Sequence, residues 1–389
     1  MKRVWRILIL MLVGALLGGC GAAAADPAVE LFAVNVGHGD ALILRVGDWT
    51  GLIDAGEPKA MGRVRSALGQ MGIDRLDGVF LTHTDNDHAG GLEWLAASDI
   101  AVDAWYAPAM YTGVKAKKHP MALAAAQRGE AVRWLQRGDA LALGDGGATL
   151  RVLAPASRFD DKDNNNSLVM MLESAQGRML LTGDMELPEE AELLSEGDDL
   201  SCAVLKVPNH GDDDTTSAAF ARAAGAQIAV VSTDSQEKPG TPDPGVVRRL
   251  EAAGSRVVVT QDSGLGLDVT LKGGVASVEA VDIAAPVTDG PYIAEVDADD
   301  DRVVLGNRGD GAVDLTGCYL FSDRGGELYA FPDGATLAPG AKLTVGTRST
   351  DGQYDLLWDD KKVIHRKKTD IVYLYDRWGR VVDSADNGL

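Results

Sequence analysis

The chain has 389 residues, 46% hydrophobic, 24% charged and only 5% aromatic, with 58 acidic against 37 basic residues and a net charge of −21. That length accommodates two or three domains at about 100–200 residues each, and the apolar fraction excludes wholesale disorder. The charge excludes a histone-like coat for nucleic acid, because such binding rests on Lys and Arg displacing counterions. A polyanionic substrate would have to be drawn in by a metal or a local basic patch. Three cysteines exclude a disulfide scaffold and a CxxC zinc site.

Met1–Ala25 reads as a targeting segment and tether. Lys2, Arg3 and Arg6 precede the apolar run Ile7–Leu17, which is shorter than the roughly 20 residues a membrane span needs. Leu17-Gly18-Gly19-Cys20 resembles the lipobox of bacterial lipoproteins; the resemblance implies cleavage before Cys20, lipidation of its thiol and attachment to the cell membrane. From Val29 to about Val281 strands and helices alternate. Val29–Val36, Ala41–Val46 and Thr50–Asp54 predict a β-meander, and Met61–Met71 a helix ending at Gly72. Val79–Leu81 predicts a buried strand, Leu92–Ala97 a helix and Val102–Tyr106 a strand. Ala148–Leu153, Ser167–Leu172, Arg178–Leu181, Ala203–Val207, Ile228–Val231 and Val257–Thr260 predict strands, with helices over Glu189–Leu194, Ser217–Ala224 and Val246–Ala253. Residues 26–283 thus form a layered α/β domain. Ala284–Gly290 is a linker, and residues 291–389 carry turn residues about every ten positions with no helical period, the pattern of a β-sandwich. Cys202 and Cys318 fall in different domains, so no disulfide joins them.

Four of the six histidines, His38, His83, His88 and His210, lie within two residues of Gly or Asp. The densest group is Thr82-His83-Thr84-Asp85-Asn86-Asp87-His88-Ala89-Gly90-Gly91, directly after an apolar strand. On a tight strand-to-helix loop these imidazoles and carboxylates converge on a small volume, a metal site with a share of hard oxygen ligands. His119 and His365 lie in basic stretches and are expected on the surface.

The pattern His83-x-Asp85-x-Asp87-His88 resembles the HxHxDH motif of the metallo-β-lactamase fold, in the variant of ComEC-type competence proteins with aspartate at its second position. Five further stretches agree in order. Val34-Asn35-Val36-Gly37-His38-Gly39-Asp40-Ala41 resembles DVGQGDA, Leu52-Ile53-Asp54-Ala55-Gly56 resembles LIDTG, and Asn165-Asn166-Ser167-Leu168-Val169 resembles NNxSLV. Leu180-Leu181-Thr182-Gly183-Asp184 resembles LLTGD, and Leu205-Lys206-Val207-Pro208-Asn209-His210-Gly211 resembles LKVxHHG. The resemblance implies an αββα sandwich with one or two divalent cations, Zn²⁺ or Mn²⁺. It implies His83 and Asp85 on one cation, Asp87 and His88 on the other, Asp184 bridging and His210 in or beside the metal sphere. Asp87 and His210 are the implied catalytic pair. Asp40, Asp54 and Asn166 are expected to orient the ligands; His38, in the position of the glutamine, is at most a substrate contact. Asn209 replaces the first histidine of HHG, and Gly240-Thr241-Pro242 stands where GHP is usual; Thr241 is no ligand, and the number of cations stays open. Lys115, Lys117 and Lys118, flanked by Tyr111, form a basic loop suited to phosphates and bases, or a solvated turn.

Residues 291–386 resemble a lamin-tail domain, an immunoglobulin-like sandwich, in Val313-Asp314-Leu315-Thr316-Gly317-Cys318-Tyr319-Leu320 and in the run from Phe331 to Gly340. It shows no catalytic group, and its basic run Lys361–Lys368 is either a solvated loop or a contact for an anionic or cell-wall polymer. The function implied is that of an extracytoplasmic, metal-dependent phosphodiesterase or nuclease on DNA, linked to uptake or scavenging, in which cations activate a water. The alternatives are a metallohydrolase of another small ester, or a surface binding lipoprotein with a degenerate metal site.

Overall fold

The computed structural model describes residues 27–145, 147–160, 162–283, 290–377 and 380–389. The segment 1–26, with the lipobox and Cys20, and most of the linker lie outside the described residues.

Two large sheets face each other in the N-terminal part. The first runs, in spatial order, 275–281, 266–272, 29–34, 42–46, 49–53, 78–80, 105–108 and 132–135; the second runs 256–259, 228–231, 204–206, 177–181, 169–174, 148–154 and 140–143. Period-two alternation assigns each strand's two faces. Val29, Leu31 and Ala33 enter the layer between the sheets, where they meet Leu150, Leu172 and Val230. Phe32 and Val34 face the other way, onto helices Met61–Gln70, Leu92–Ala97 and Pro120–Gln127. In the second sheet Met170 and Leu172 point inward, while Val169 and Met171 pack on helices Leu187–Ser195, Ala218–Ala224 and Pro244–Ala252. Strands buried on both faces must be apolar throughout, and the result is the expected αββα sandwich.

Within each sheet one half is parallel: 49–53, 78–80, 105–108 and 132–135 in the first, and 177–181, 204–206, 228–231 and 256–259 in the second. Their carboxyl ends carry the loops in which His83, Asp85, Asp87, His88, Asp184 and His210 lie, where open α/β sheets form their crevices. The expected strand Val102–Tyr106 is divided into Ala101–Val102 and Trp105–Pro108, which join different sheets.

The C-terminal part is the expected β-sandwich, with sheets ordered 291–297, 302–307, 342–347, 356–358 and 328–330, 319–322, 371–375, 381–386. Ile293, Leu305, Leu320, Trp358 and Leu374 fill its core. A separate cluster, Tyr319, Phe321, Tyr375 and Val381, is buried apart from that core. Helix Met61–Gln70 packs against it: a Cβ on Gly62 would come within 2.5 Å of Phe321. The Arg65 guanidinium lies 4.5 Å from the Tyr319 ring centre and 3.0 Å from Asp99. Cys202 and Cys318 are both free. Phe321→Ala is expected to cost about 3–5 kcal/mol in urea unfolding, since it empties a buried contact. Val275→Ala, on a residue 64% exposed, should stay within about 0.5 kcal/mol.

Candidate metal centre

Strand Gly78–Phe80 runs into Leu81-Thr82-His83, and the chain then turns into the short helix Asn86–Ala89, which carries Asp87 and His88. Asp85 occupies the position before that helix, yet its carboxylate makes no capping hydrogen bond and lies 3.8 Å from His83 Nε2. Asp184 follows strand Gly177–Leu181; its backbone N–H donates to Ser167 Oγ. His210 follows strand Val204–Lys206 on a turn where Asn209 and His210 both have positive φ, 43° and 52°. Consecutive left-handed residues without glycine are strained positions of the kind found at functional sites.

The groups meet at Asp184. Its Oδ2 lies 3.1 Å from His88 Nε2, 3.1 Å from His210 Nε2 and 3.9 Å from His83 Nε2. Asp87 Oδ2 is 3.3 Å from His210 Nε2 and 3.9 Å from His88 Nε2. Ligands about 2.0–2.2 Å from one ion stand roughly 3–4 Å from each other, so these spacings fit cation coordination. His83 Nε2 and Asp184 Oδ1 are buried without a hydrogen-bond partner, as ligand atoms are before an ion satisfies them. The residues present therefore fit a divalent cation.

The far side of each ring is held. His88 Nδ1 lies 2.8 Å from Asp54 Oδ2, and His210 Nδ1 2.7 Å from the Ser232 carbonyl. Thr82 Oγ1 donates to Asp54 Oδ2, so at 3.1 Å it can only accept from His83 Nδ1. Each Nδ1 thus keeps a proton and each Nε2 faces the cluster, the arrangement that carboxylate–histidine pairs impose on metal ligands. Asp54 is the carboxylate placed behind His88. Asp40 is placed beside the rings as well, 4.0 Å from His88 Nδ1, but its carboxylate is engaged with Lys206 Nζ at 2.7 Å, both side chains 1% exposed.

Other expectations need correction. Asn166 does not reach the ligands: its amide bonds Phe159 N, Phe159 O and Lys162 O and closes that loop. His119 is not on the surface but fully buried, packed between Tyr111 and Trp134. The basic stretch hid the start of helix Pro120–Gln127, which carries His119 inward. Lys115, Lys117 and Lys118 are exposed, and Tyr111 stacks on Trp134 with ring centres 5.7 Å apart. This ridge is tied to the cluster through Asp163, which accepts from Thr84 Oγ1 and from Thr112 N. His38 enters the cluster itself, with Nε2 3.9 Å from Asp87 Oδ2. Thr241 makes no such approach; its hydroxyl is used by Lys238 O and Thr233. His365 is half-buried, its Nδ1 accepting from Lys367 N. Sequence reasoning missed Lys206, Ser232, Thr233 and Trp134. Of these only Lys206, a cation inside an apolar strand, carried a visible signal.

This double sheet with imidazoles and carboxylates gathered at its strand ends is a metalloenzyme architecture. The Metallo-beta-lactamase superfamily matches residues 34–235, just over half of the chain, and the Lamin Tail Domain matches residues 284–388. The chain belongs to the metallo-beta-lactamase superfamily and carries a lamin tail domain after it. "ComE operon protein 3" of Bacillus subtilis is 28% identical over 253 residues, covering 60% of this chain and 32% of the relative. "Competence protein ComA" of Neisseria gonorrhoeae is 28% identical over 234 residues, covering 59% of this chain and 30% of the relative. The chain thus spans about a third of the length of these relatives. The metallo-beta-lactamase fold protein YhfI of Bacillus subtilis aligns at 14% identity with a TM-score of 0.40, covering 65% of this chain and all of that one.

Charge in the cluster is balanced by protons. Burial opposes the imidazolium form of His210, but Asp184 and Asp87 outweigh it and push its pKa up to about 9. His88 is likewise opposed by burial yet held well above the ordinary value by Asp184 and Asp54. Burial would raise Asp184, but His210 and His88 hold its carboxyl well below the usual range. Since Nδ1 is pinned, the proton on Nε2 is the one a cation must displace. Apparent metal affinity should therefore rise with pH up to about 9 and fall as His210 and His88 become protonated below it, with proton release measurable by calorimetry in buffers of differing ionisation enthalpy. Lys206→Met leaves the Asp40 carboxylate buried without its ammonium and is expected to cost about 3–5 kcal/mol in urea unfolding.

Proposed function

We propose that the chain is an extracytoplasmic metal-dependent phosphodiesterase that acts on DNA. The observation that carries the reading is the convergence of three imidazoles, His83, His88 and His210, and the carboxylates of Asp87 and Asp184 on one site, with Asp85, 54% exposed, at its rim beside His83. The 28% identity to a protein named "Competence protein ComA" supports a role in DNA uptake or scavenging. The equal share of oxygen and nitrogen donors suits Mn²⁺ as well as Zn²⁺. When bound there, such cations lower the pKa of a water and stabilise charge on phosphate oxygens.

The remaining work falls to the protein. Asp184, with Oδ2 3.1 Å from both His88 Nε2 and His210 Nε2, would be the shared ligand. Of the two carboxylates beside His210, Asp87 is the more accessible, its side chain 20% exposed against 4% for Asp184. Burial opposes its ionisation, but the hydrogen bond from His210 outweighs this and holds its carboxyl well below the usual range. Lys115, Lys117, Lys118 and the Tyr111–Trp134 pair supply cations and a stacking surface for a single strand beside the crevice. With a net charge of −21, retention on DNA is weak and falls steeply with salt. The lipobox-like run Leu17-Gly18-Gly19-Cys20 supports attachment to the membrane through Cys20. Exposed lysines 361, 362, 367 and 368, held around the buried Val363 and Ile364, offer the sandwich a contact for an anionic polymer.

Purified protein with Mn²⁺ or Zn²⁺ is expected to cleave DNA or a simple phosphodiester, to lose activity to chelator and to regain it on metal return. Asp184→Ala and Asp87→Ala should each lower kcat by about 100-fold or more. Intact DNA and intact phosphodiester under all these conditions would refute the reading. Turnover of small acyl esters in their place would favour a different metallohydrolase, and less than one bound metal per chain a binding lipoprotein.

A further inference from the structure

His38 sits in a loop that is built around it. Gly37 and Gly39 flank it with φ of 82° and 143°, and a Cβ on Gly39 would come 2.5 Å from the carbonyl oxygen of Asp87. Only glycine lets the loop lie this close to the helix that carries Asp87. The backbone N–H of His38 donates to Glu237 Oε2 at 3.0 Å, and Glu237 is in turn held by Lys59 at 2.9 Å.

Hydroxyl chemistry decides which ring nitrogen faces the cluster. Thr241 Oγ1 donates its hydrogen to the Lys238 carbonyl at 2.9 Å. The 2.7 Å contact between Thr233 Oγ1 and Thr241 Oγ1 must then use the hydrogen of Thr233. Thr233 Oγ1 has no hydrogen left to give, so at 3.1 Å it accepts one from His38 Nδ1. The proton of His38 is on Nδ1, and the lone pair of Nε2 points at Asp87. This is the wiring found at His83, His88 and His210, each with Nδ1 held from behind.

Nε2 of His38 lies 3.9 Å from Asp87 Oδ2, beyond a hydrogen bond but a natural span between two ligands of one ion. Ligand atoms of His38, Asp87 and His210 all lie within 4.8 Å of one another. We propose that His38 is a direct ligand of the divalent cation held by Asp87 and His210, oriented by the Thr233–Thr241 hydroxyl pair. The inference rests on the metal-dependent reading above but not on any substrate.

The test is metal binding by the full chain, followed by Co²⁺ titration and metal analysis after dialysis. His38→Ala should weaken the Asp87–His210 cation by about 100-fold or more, and Thr241→Val, which only frees the relay, by about 10-fold, the range known for residues that orient ligands. In the Co²⁺ form the wild type should show a hyperfine-shifted, solvent-exchangeable Nδ1–H resonance that folded His38→Ala lacks. Unchanged affinity in folded His38→Ala, or an unchanged set of such shifted N–H resonances in its Co²⁺ form, would overturn the proposal. A wild type that cleaves DNA while His38→Ala binds metal normally would overturn this inference alone. Metal bound through His38 with no turnover of any phosphodiester would sustain it and overturn the nuclease reading.

Discussion

The structure depends on holding histidine rings by their far nitrogens. An imidazole offers two nitrogens, and whichever gives up its proton faces a cation; a free ring would divide between the two. Here the choice is made by groups behind each ring: the Asp54 carboxylate for His88, the Ser232 carbonyl for His210 and the Thr82 hydroxyl for His83. All three are buried, so no water competes for the bond and the orientation is kept. Asp54 serves twice, since it also takes the Thr82 hydrogen and thereby commits Thr82 as an acceptor. One carboxylate therefore orients two rings.

The sandwich exists to bring those backing groups within reach. Asp54 and His83 lie beyond the ends of neighbouring parallel strands of one sheet, and Asp184, His210 and Ser232 beyond three consecutive strands of the other. The two sheets are locked by the central layer of Val29, Leu31, Leu150, Leu172 and Val230. The spacing between ligands from opposite sheets is thus an expression of core packing, which is dense and tolerates little displacement. Lys206 adds a constraint from beneath: a buried ammonium satisfied by Asp40 and by the Val207 carbonyl.

Much of this was legible in the sequence because its signals are local. The run from His83 to His88 places its ligands within six residues, and the apolar runs before it and before Asp184 and His210 read directly as strands. The helix Leu92–Ala97 and the strand Ile228–Val231 fall where their periodicity puts them. What escaped was contact across long separations. Thr233 and Thr241 look like ordinary loop hydroxyls, and nothing near His38 reveals that it meets residues 195 positions away. His119 was misplaced because neighbouring lysines suggested solvent, whereas its own ring is enclosed by Tyr111 and Trp134. The hairpin 266–272 and 275–281 did carry a signal, alternating Leu267, Val269 and Leu271 before Gly273-Gly274.

The contact between Gly62 and Phe321 changes what the two-part composition means. Sequence presents a hydrolase-type unit with an appended sandwich, pieces that could be exchanged separately. Yet the helix beneath Phe321 begins just after Lys59, and Lys59 holds Glu237, which holds the backbone of His38. The backbone of Gly326, from the sandwich, leaves no room for a side chain beside Lys59. A larger residue at 62 or 326 must therefore be matched across the seam. The sandwich is a wall of the same building.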